Sequence, residues 1–288
     1  MRLDAVMWPD SPWTEARAEW RTAEELGLGG GWIYDHLFWK QGRPWHEAYT
    51  TLAAVAATTS RIGMGTMVTS PNFRHPVTSA KAAFTLNDIS GGRFTLGIGA
   101  GGPGGDADVL GEPGRTRAQR TARFEEWVEL TDLLLSQDAT THQGAHFSAR
   151  DVAIGADNTP ATRPPLAVAA TGKRGMALAA RFADQWLTQD ISQDPKLYAG
   201  TPYAEIERQT ALLDEVCRAH GRDPSTLPRL CVLGYGEERP LDSLEAFRDC
   251  AGRYGELGIS TIAVLWPRGA DAAAQMKVLE EAAAELAS

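Results

Sequence analysis

Cysteine is scarce in this sequence: only Cys217, Cys231 and Cys250 occur in 288 residues. Three scattered thiols make neither a disulfide framework nor a zinc cluster, so they read as buried thiols in a reducing compartment. Long apolar runs are also missing, and no segment is long enough to cross a bilayer. The opening residues Leu3-Asp4-Ala5-Val6-Met7-Trp8 lack the basic-then-apolar pattern of a secretory signal, so a cytoplasmic location is expected and a membrane is not. Positive charge is in deficit, with 28 Lys and Arg against 37 Asp and Glu. The net charge of −9 argues against nucleic acid as a partner, yet leaves room for a local cationic pocket. Internal repeats and low-complexity stretches are absent as well. What is present, 43% hydrophobic residues, suffices to bury a large core in one domain spanning 1–288.

Strand-like and helix-like segments alternate along the whole chain, which predicts βα units around a parallel sheet. The expected strands are 3–8, 31–35, 62–69, 93–99, 165–170, 185–189, 229–235 and 260–266. Eight such units imply a closed (β/α)8 TIM barrel. The intervening helices carry apolar stripes at helical spacing: Phe124, Trp127, Val128, Thr131 and Leu134; Ile206, Thr210, Leu213 and Cys217; Leu244, Phe247, Ala251 and Tyr254; Met276, Leu279, Ala283 and Leu286. Pro76 suits a helix's first turn and Gly91-Gly92 its end. The segment 137–164, with its glycines, prolines and alternating His146-Phe147-Ser148, reads as a hairpin excursion.

In such a barrel, chemistry sits at the C-terminal ends of the strands. His36 ends the second strand beside Asp35, a carboxylate able to fix its tautomer, and is a candidate acid/base or oxyanion-stabilising group; a plain loop hydrogen bond is the alternative. Thr171-Gly172-Lys173-Arg174 opens a helix after the fifth strand, where amides and two cations would attract a phosphate or carboxylate; an ordinary βα turn is the alternative. Gly97 to Gly102 satisfy G-x-G-x-x-G, but Pro103, Gly104 and Gly105 follow where a dinucleotide-binding fold needs a helix. Gly99, Ala100, Gly101 and Gly102 read instead as a place where a flat ring approaches the backbone. Trp8, Trp39, Trp45 and Trp266, four of nine tryptophans, are placed to wall an aromatic pocket. Arg115, Arg117, Arg120 and Arg123 read as a solvated face paired with Glu125, Glu126 and Glu129, with help to an anionic cofactor tail as the lesser alternative. His142 and His146 lack the further ligands of a metal site, so no metal is expected and a metal-dependent hydrolase is disfavoured.

These residues together resemble the luciferase-like monooxygenase superfamily, in its bacterial coenzyme F420-dependent oxidoreductase branch. The resemblance is carried by Ala23-Glu24-Glu25-Leu26-Gly27 before Trp32-Ile33-Tyr34-Asp35-His36, by Thr58 to Val68, by Arg74-His75-Pro76, by Ser90 to Gly101, and by Leu178 to Trp186. It implies a barrel whose mouth holds a deazaflavin or flavin ring that supplies the redox chemistry. The ring would rest against Thr66, Met67 and Val68, with a non-prolyl cis peptide at Met67-Val68. Its phosphate tail would lie in the turn Thr171 to Arg174, with Asp35 and the residues Gly99 to Gly102 also at the cofactor. The resemblance further implies His36 at the reactive carbon, a small organic substrate against Trp8, Trp39 and Trp266, a homodimer, and a partner reductase. Coenzyme F420 is the expected cofactor; FMN in a two-component monooxygenase, or a non-catalytic flavin-binding subunit, are the alternatives. Gly102 stands where related sugar-phosphate dehydrogenases carry an acidic proton donor, which argues against sugar-phosphate oxidation.

Overall fold

The computed structural model describes residues 1–39, 44–155, 163–190 and 201–287. Eight parallel strands close a barrel: β1 (Arg2–Met7), β2 (Gly30–Ile33), β3 (Gly63–Thr66), β4 (Phe94–Ile98), β7 (Leu166–Ala169), β8 (Gln185–Gln189), β9 (Arg229–Leu233) and β10 (Thr261–Leu265). β1 closes the ring by pairing with both β2 and β10, with Ala5 opposite Gly31 and Val264. All eight expected strands are present, and the excursion is an antiparallel hairpin, β5 (Thr140–Gln143) with β6 (Ser148–Val152). Residues 156–162 of the expected excursion lie outside the described residues.

The helices pack around this ring. They include α1 (Trp13–Glu25), α2 (Ala48–Thr58), α3 (Pro76–Ser90), the short α4 (Asp106–Val109), α5 (Arg117–Ser136), α6 (Lys173–Phe182), α7 (Pro202–Ala219), α8 (Leu244–Glu256) and α9 (Ala272–Ala287). Pro76 opens α3, and Gly91 ends it in the left-handed conformation at φ 65°, where glycine has no Cβ to strain. The expected stripes on α5 and α7 are buried, as are Phe247 and Tyr254 on α8. Leu286 departs from its stripe and is 40% exposed in the last turn of α9, whose buried residues are Leu279, Ala282 and Ala283.

Period-two alternation divides the apolar side chains into two layers. Leu3, Ala5 and Met7 join the layer between barrel and helices, whereas Val6, Trp32, Ala167, Leu187, Leu230, Val232 and Ala263 fill the lumen. The Trp32 indole lies across the interior against β3, where a side-chain carbon on Gly65 would come within 2.6 Å of the ring. Its Nε1 donates to Asp4 Oδ2 at 2.8 Å, and Arg2 Nε donates to Asp4 Oδ1 at 2.7 Å. The lower lumen is therefore packed core, and open space is left to the C-terminal rim.

Candidate active site

β2 delivers two chemically different neighbours to the rim. Asp35 follows the outward parity of Ile33 and is buried behind the strand, where it accepts from Arg74 Nε at 2.6 Å, Arg74 Nη2 at 2.5 Å and Thr69 Oγ1 at 2.8 Å. Arg74 also reaches Glu47 at 2.5 Å and lies over the Tyr49 ring. Burial works against the Arg74 charge, but its bonds to Asp35 outweigh this and hold its pKa above the ordinary guanidinium value. Asp35 thus braces the strand end from behind, and the expectation that it orients His36 is corrected.

His36 points the other way, into the mouth, with its side chain one-third exposed. Its Nδ1 lies 2.8 Å from Oδ2 of Asp106, the first residue of α4, and the other oxygen of that carboxylate accepts from the Leu37 amide at 2.7 Å. Asp106 is buried and was missed in the sequence, because it stands 70 positions away on a four-residue helix too short to show periodicity.

Aromatic rings wall the same space. Trp8 meets Tyr34 at 5.2 Å between centroids, Tyr34 meets Trp45 at 6.0 Å, and Trp45 stacks on Trp39 at 5.8 Å. His36 lies 5.3 Å from Trp39 and 6.3 Å from Trp45. Trp8 and Trp39 stand where the sequence placed them, and Tyr34 and Trp45 belong with them. Trp266 does not: it keeps the outward parity of Val264, is 4% exposed and packs in the layer between barrel and helices. Within this cluster Trp8 Nε1, Tyr34 Oη and Trp45 Nε1 are buried with no hydrogen-bond partner among the described residues. Three unmet polar groups in one aromatic cage fit a flat ligand rich in acceptors, since each left unmet costs about 1–3 kcal/mol.

The other expected cofactor contacts are distributed unevenly. Met67-Val68 is a cis peptide, as the resemblance implied, and both side chains pack at the upper lumen beside Tyr34, Ala169 and Tyr235. Thr66 is fully buried and donates to the Gly97 carbonyl at 2.8 Å, so its hydroxyl faces the protein. The glycines after β4 make room for the chain that follows β3, Val68 to Asn72, more than for a ligand. A Cβ on Gly99 would lie 2.6 Å from Val68 Cγ2, one on Gly101 (φ 73°) would strike Ser70 Oγ, and the Gly102 carbonyl accepts from Asn72 Nδ2. Ala100 stays half-buried at the rim.

At the start of α6, Gly172 is the N-cap, and the first amides of the helix, which have no intrahelical acceptor, lack a side-chain cap among the described residues. Thr171 is exposed beside them. Lys173 Nζ binds Glu215 at 2.9 Å and Arg174 Nε binds Glu125 at 2.7 Å, both as exposed pairs. The cation that leans over the turn is Arg117 from α5, whose Nη2 lies 3.8 Å from where a Gly172 Cβ would sit. The expected pairing of the arginine run with Glu125, Glu126 and Glu129 does not form. Arg115 binds Glu112, Arg123 donates to the Pro71 carbonyl, and the three glutamates serve Arg174, the hairpin and Arg181. Among the described residues no group of three or more His, Cys, Asp or Glu could hold a metal.

With this geometry in place, comparison with known proteins is informative. A profile of the luciferase-like monooxygenases matches residues 3–235. The chain belongs to that family. Its curated relatives include an F420-dependent glucose-6-phosphate dehydrogenase of Beutenbergia cavernae, 36% identical over 173 residues covering 57% of this chain and 49% of the relative. An F420-dependent hydroxymycolic acid dehydrogenase of Mycobacterium tuberculosis is 34% identical over 223 residues, covering 74% and 56%. The chain thus aligns with about half the length of these relatives. Among solved structures, an F420-dependent secondary alcohol dehydrogenase with an F420-acetone adduct superposes with TM-score 0.83 at 17% identity, covering 98% of this chain and 97% of that one. A monooxygenase from Streptomyces bottropensis gives 0.79 at 19% identity with full coverage of both. These two likenesses establish the barrel fold of the family.

Proposed function

We propose that this family member is an oxidoreductase that uses coenzyme F420 to move a hydride to or from a small organic substrate at the barrel mouth. The observation that carries the reading is a carboxylate-bound histidine, His36, inside an aromatic cage with three unpartnered polar groups. The relatives named for F420 dependence support the choice of cofactor. When bound, the deazaflavin accepts or gives the hydride. The chain's own residues do the rest. Trp8, Tyr34 and Trp45 offer polar groups to the ring, and the segment at the Met67-Val68 cis peptide supports it. The uncapped amides from Gly172 onward, with Arg117, receive an anionic tail. Lys173 and Arg174 would join them by leaving weak, exposed pairs. His36 holds or releases a substrate proton, and Trp39 shelters the substrate from water.

The decisive experiment titrates the purified protein with F420 and, separately, FMN, following the cofactor spectrum and then screening substrates for its change. F420 alone should bind tightly and respond. His36→Ala should bind it equally well while turnover falls about 10²- to 10⁴-fold. Tight binding of FMN with no response from F420 would replace the reading with a two-component monooxygenase. Undiminished turnover in His36→Ala would remove that residue's role. The reading extends to a cytoplasmic homodimer fed by a separate reductase, in keeping with three free, buried cysteines and with no described helix long and apolar enough to cross a membrane.

A further inference from the structure

Asp106 is used by none of the expected contacts, yet it makes the two bonds that define where His36 stands. One oxygen holds the Leu37 amide and therefore the backbone just after His36; the other holds the ring. Asp106 itself is 6% exposed at the start of α4, which the chain enters through Gly104 and Gly105, both with positive φ. An ionised carboxylate can only accept, so the imidazole nitrogen facing it must carry the proton. His36 Nε2 has no partner among the described residues. Asp35, the adjacent carboxylate in the chain, is engaged by Arg74 and Thr69 and does not compete for the ring.

We infer that Asp106 is a positioning residue: it holds neutral His36 as the Nδ1–H tautomer and leaves Nε2 as the basic atom presented to the substrate. The inference rests on the functional reading above and assigns the proton its path. Nε2 accepts the proton of a substrate hydroxyl: the O–H bond breaks, its electron pair stays on oxygen, and an N–H bond forms. The imidazolium so made faces the Asp106 carboxylate, which stabilises it. The substrate class this suits is an alcohol, with the reverse proton delivery serving a carbonyl compound.

The test uses cofactor-free protein labelled with ¹⁵N-histidine, with the His36 signals assigned by their disappearance in His36→Ala. Long-range ¹H–¹⁵N spectra above the titration range should show a protonated Nδ1 and a bare Nε2 in the wild type. In Asp106→Asn the remaining oxygen keeps the Leu37 amide and the new NH₂ faces Nδ1, so the proton should move to Nε2. Asp106→Ala should show a mixture of tautomers. With the alcohol found by the substrate screen, Asp106→Asn should lower kcat on the order of a hundredfold while KM and cofactor affinity stay within about threefold. Persistence of Nδ1–H in both folded variants, or a wild type already protonated at Nε2, overturns the inference. Because the spectra need neither cofactor nor substrate, failure of F420 to bind would sink the functional reading and leave this measurement intact.

Discussion

Asp35 and His36 are chain neighbours with opposite surroundings, because successive side chains of a strand leave on opposite sides. The first is sealed behind the barrel with Arg74; the second faces the mouth. Truncating Arg74 to Ala would leave the Asp35 carboxylate buried and uncompensated. Urea unfolding should show a loss of about 3–5 kcal/mol, whereas removing both partners together should cost less than the sum. Comparable stability of Arg74→Ala and wild type would show the pair to be dispensable. The alternation of Trp32, Tyr34 and His36 against Ile33 and Asp35 stands in the sequence, yet the sequence reading paired Asp35 with His36 because the two are adjacent in the chain. The identity of His36's partner does not stand there, since nothing local to Gly104-Gly105-Asp106 signals a contact spanning the barrel mouth.

At the scale of elements, two glutamates fasten the frame by accepting backbone amides. Glu24 on α1 receives the amides of Ser60, Arg61 and Ile62 at 2.6–3.1 Å, just where the chain enters β3. Glu126 on α5 receives His146 and Phe147 at 2.9 and 2.6 Å and ties down the β5–β6 hairpin. Burial raises the pKa of each carboxyl, but the amide bonds prevail and leave both below the ordinary glutamate value of 4.5. A carboxyl lowered on folding gives stability that is complete above its unfolded value and disappears as pH falls through the lower folded value. The hairpin should therefore stay docked at neutral pH and loosen only as the pH falls below the ordinary glutamate value of 4.5. Protection of the Phe147 amide against hydrogen exchange, corrected for intrinsic rate, should drop in that window. Glu126→Gln should already be weakened at pH 7 and show no such step; a wild-type amide equally protected at pH 3 would contradict the account. The hairpin itself was legible from glycine and alternation, but its anchor was not, because the arginines before Glu125 and Glu126 offered nearer partners by spacing. Glu24 stood within one of the motifs that carried the family resemblance, and its three amide bonds give that motif a structural purpose.

For the whole molecule, the barrel was legible because eight apolar strands recur between amphipathic helices, and that repetition survives uncertainty at any single boundary. Trp266 shows the limit of this reading. A strand-end position alone does not say which side of the wall a side chain takes, and Ile262 and Val264, which share the parity of Trp266, face outward. A ligand that binds only the folded state stabilises it by mass action. At a hundred times its dissociation constant, F420 should add about 2.7 kcal/mol and raise the melting temperature by roughly 5 °C or more. FMN at equal concentration should leave the melting temperature where it was, and the reverse pattern would favour the flavin.

The Trp32 indole, tied to Asp4 and braced by Arg2, makes the barrel a vessel with a floor. Among the described residues that floor closes the lower end, so ligands would come and go at the C-terminal ends of the strands and stack by order of arrival. Whatever settles deeper must enter first and depart last, and a product too broad to pass Trp39 would trap everything beneath it.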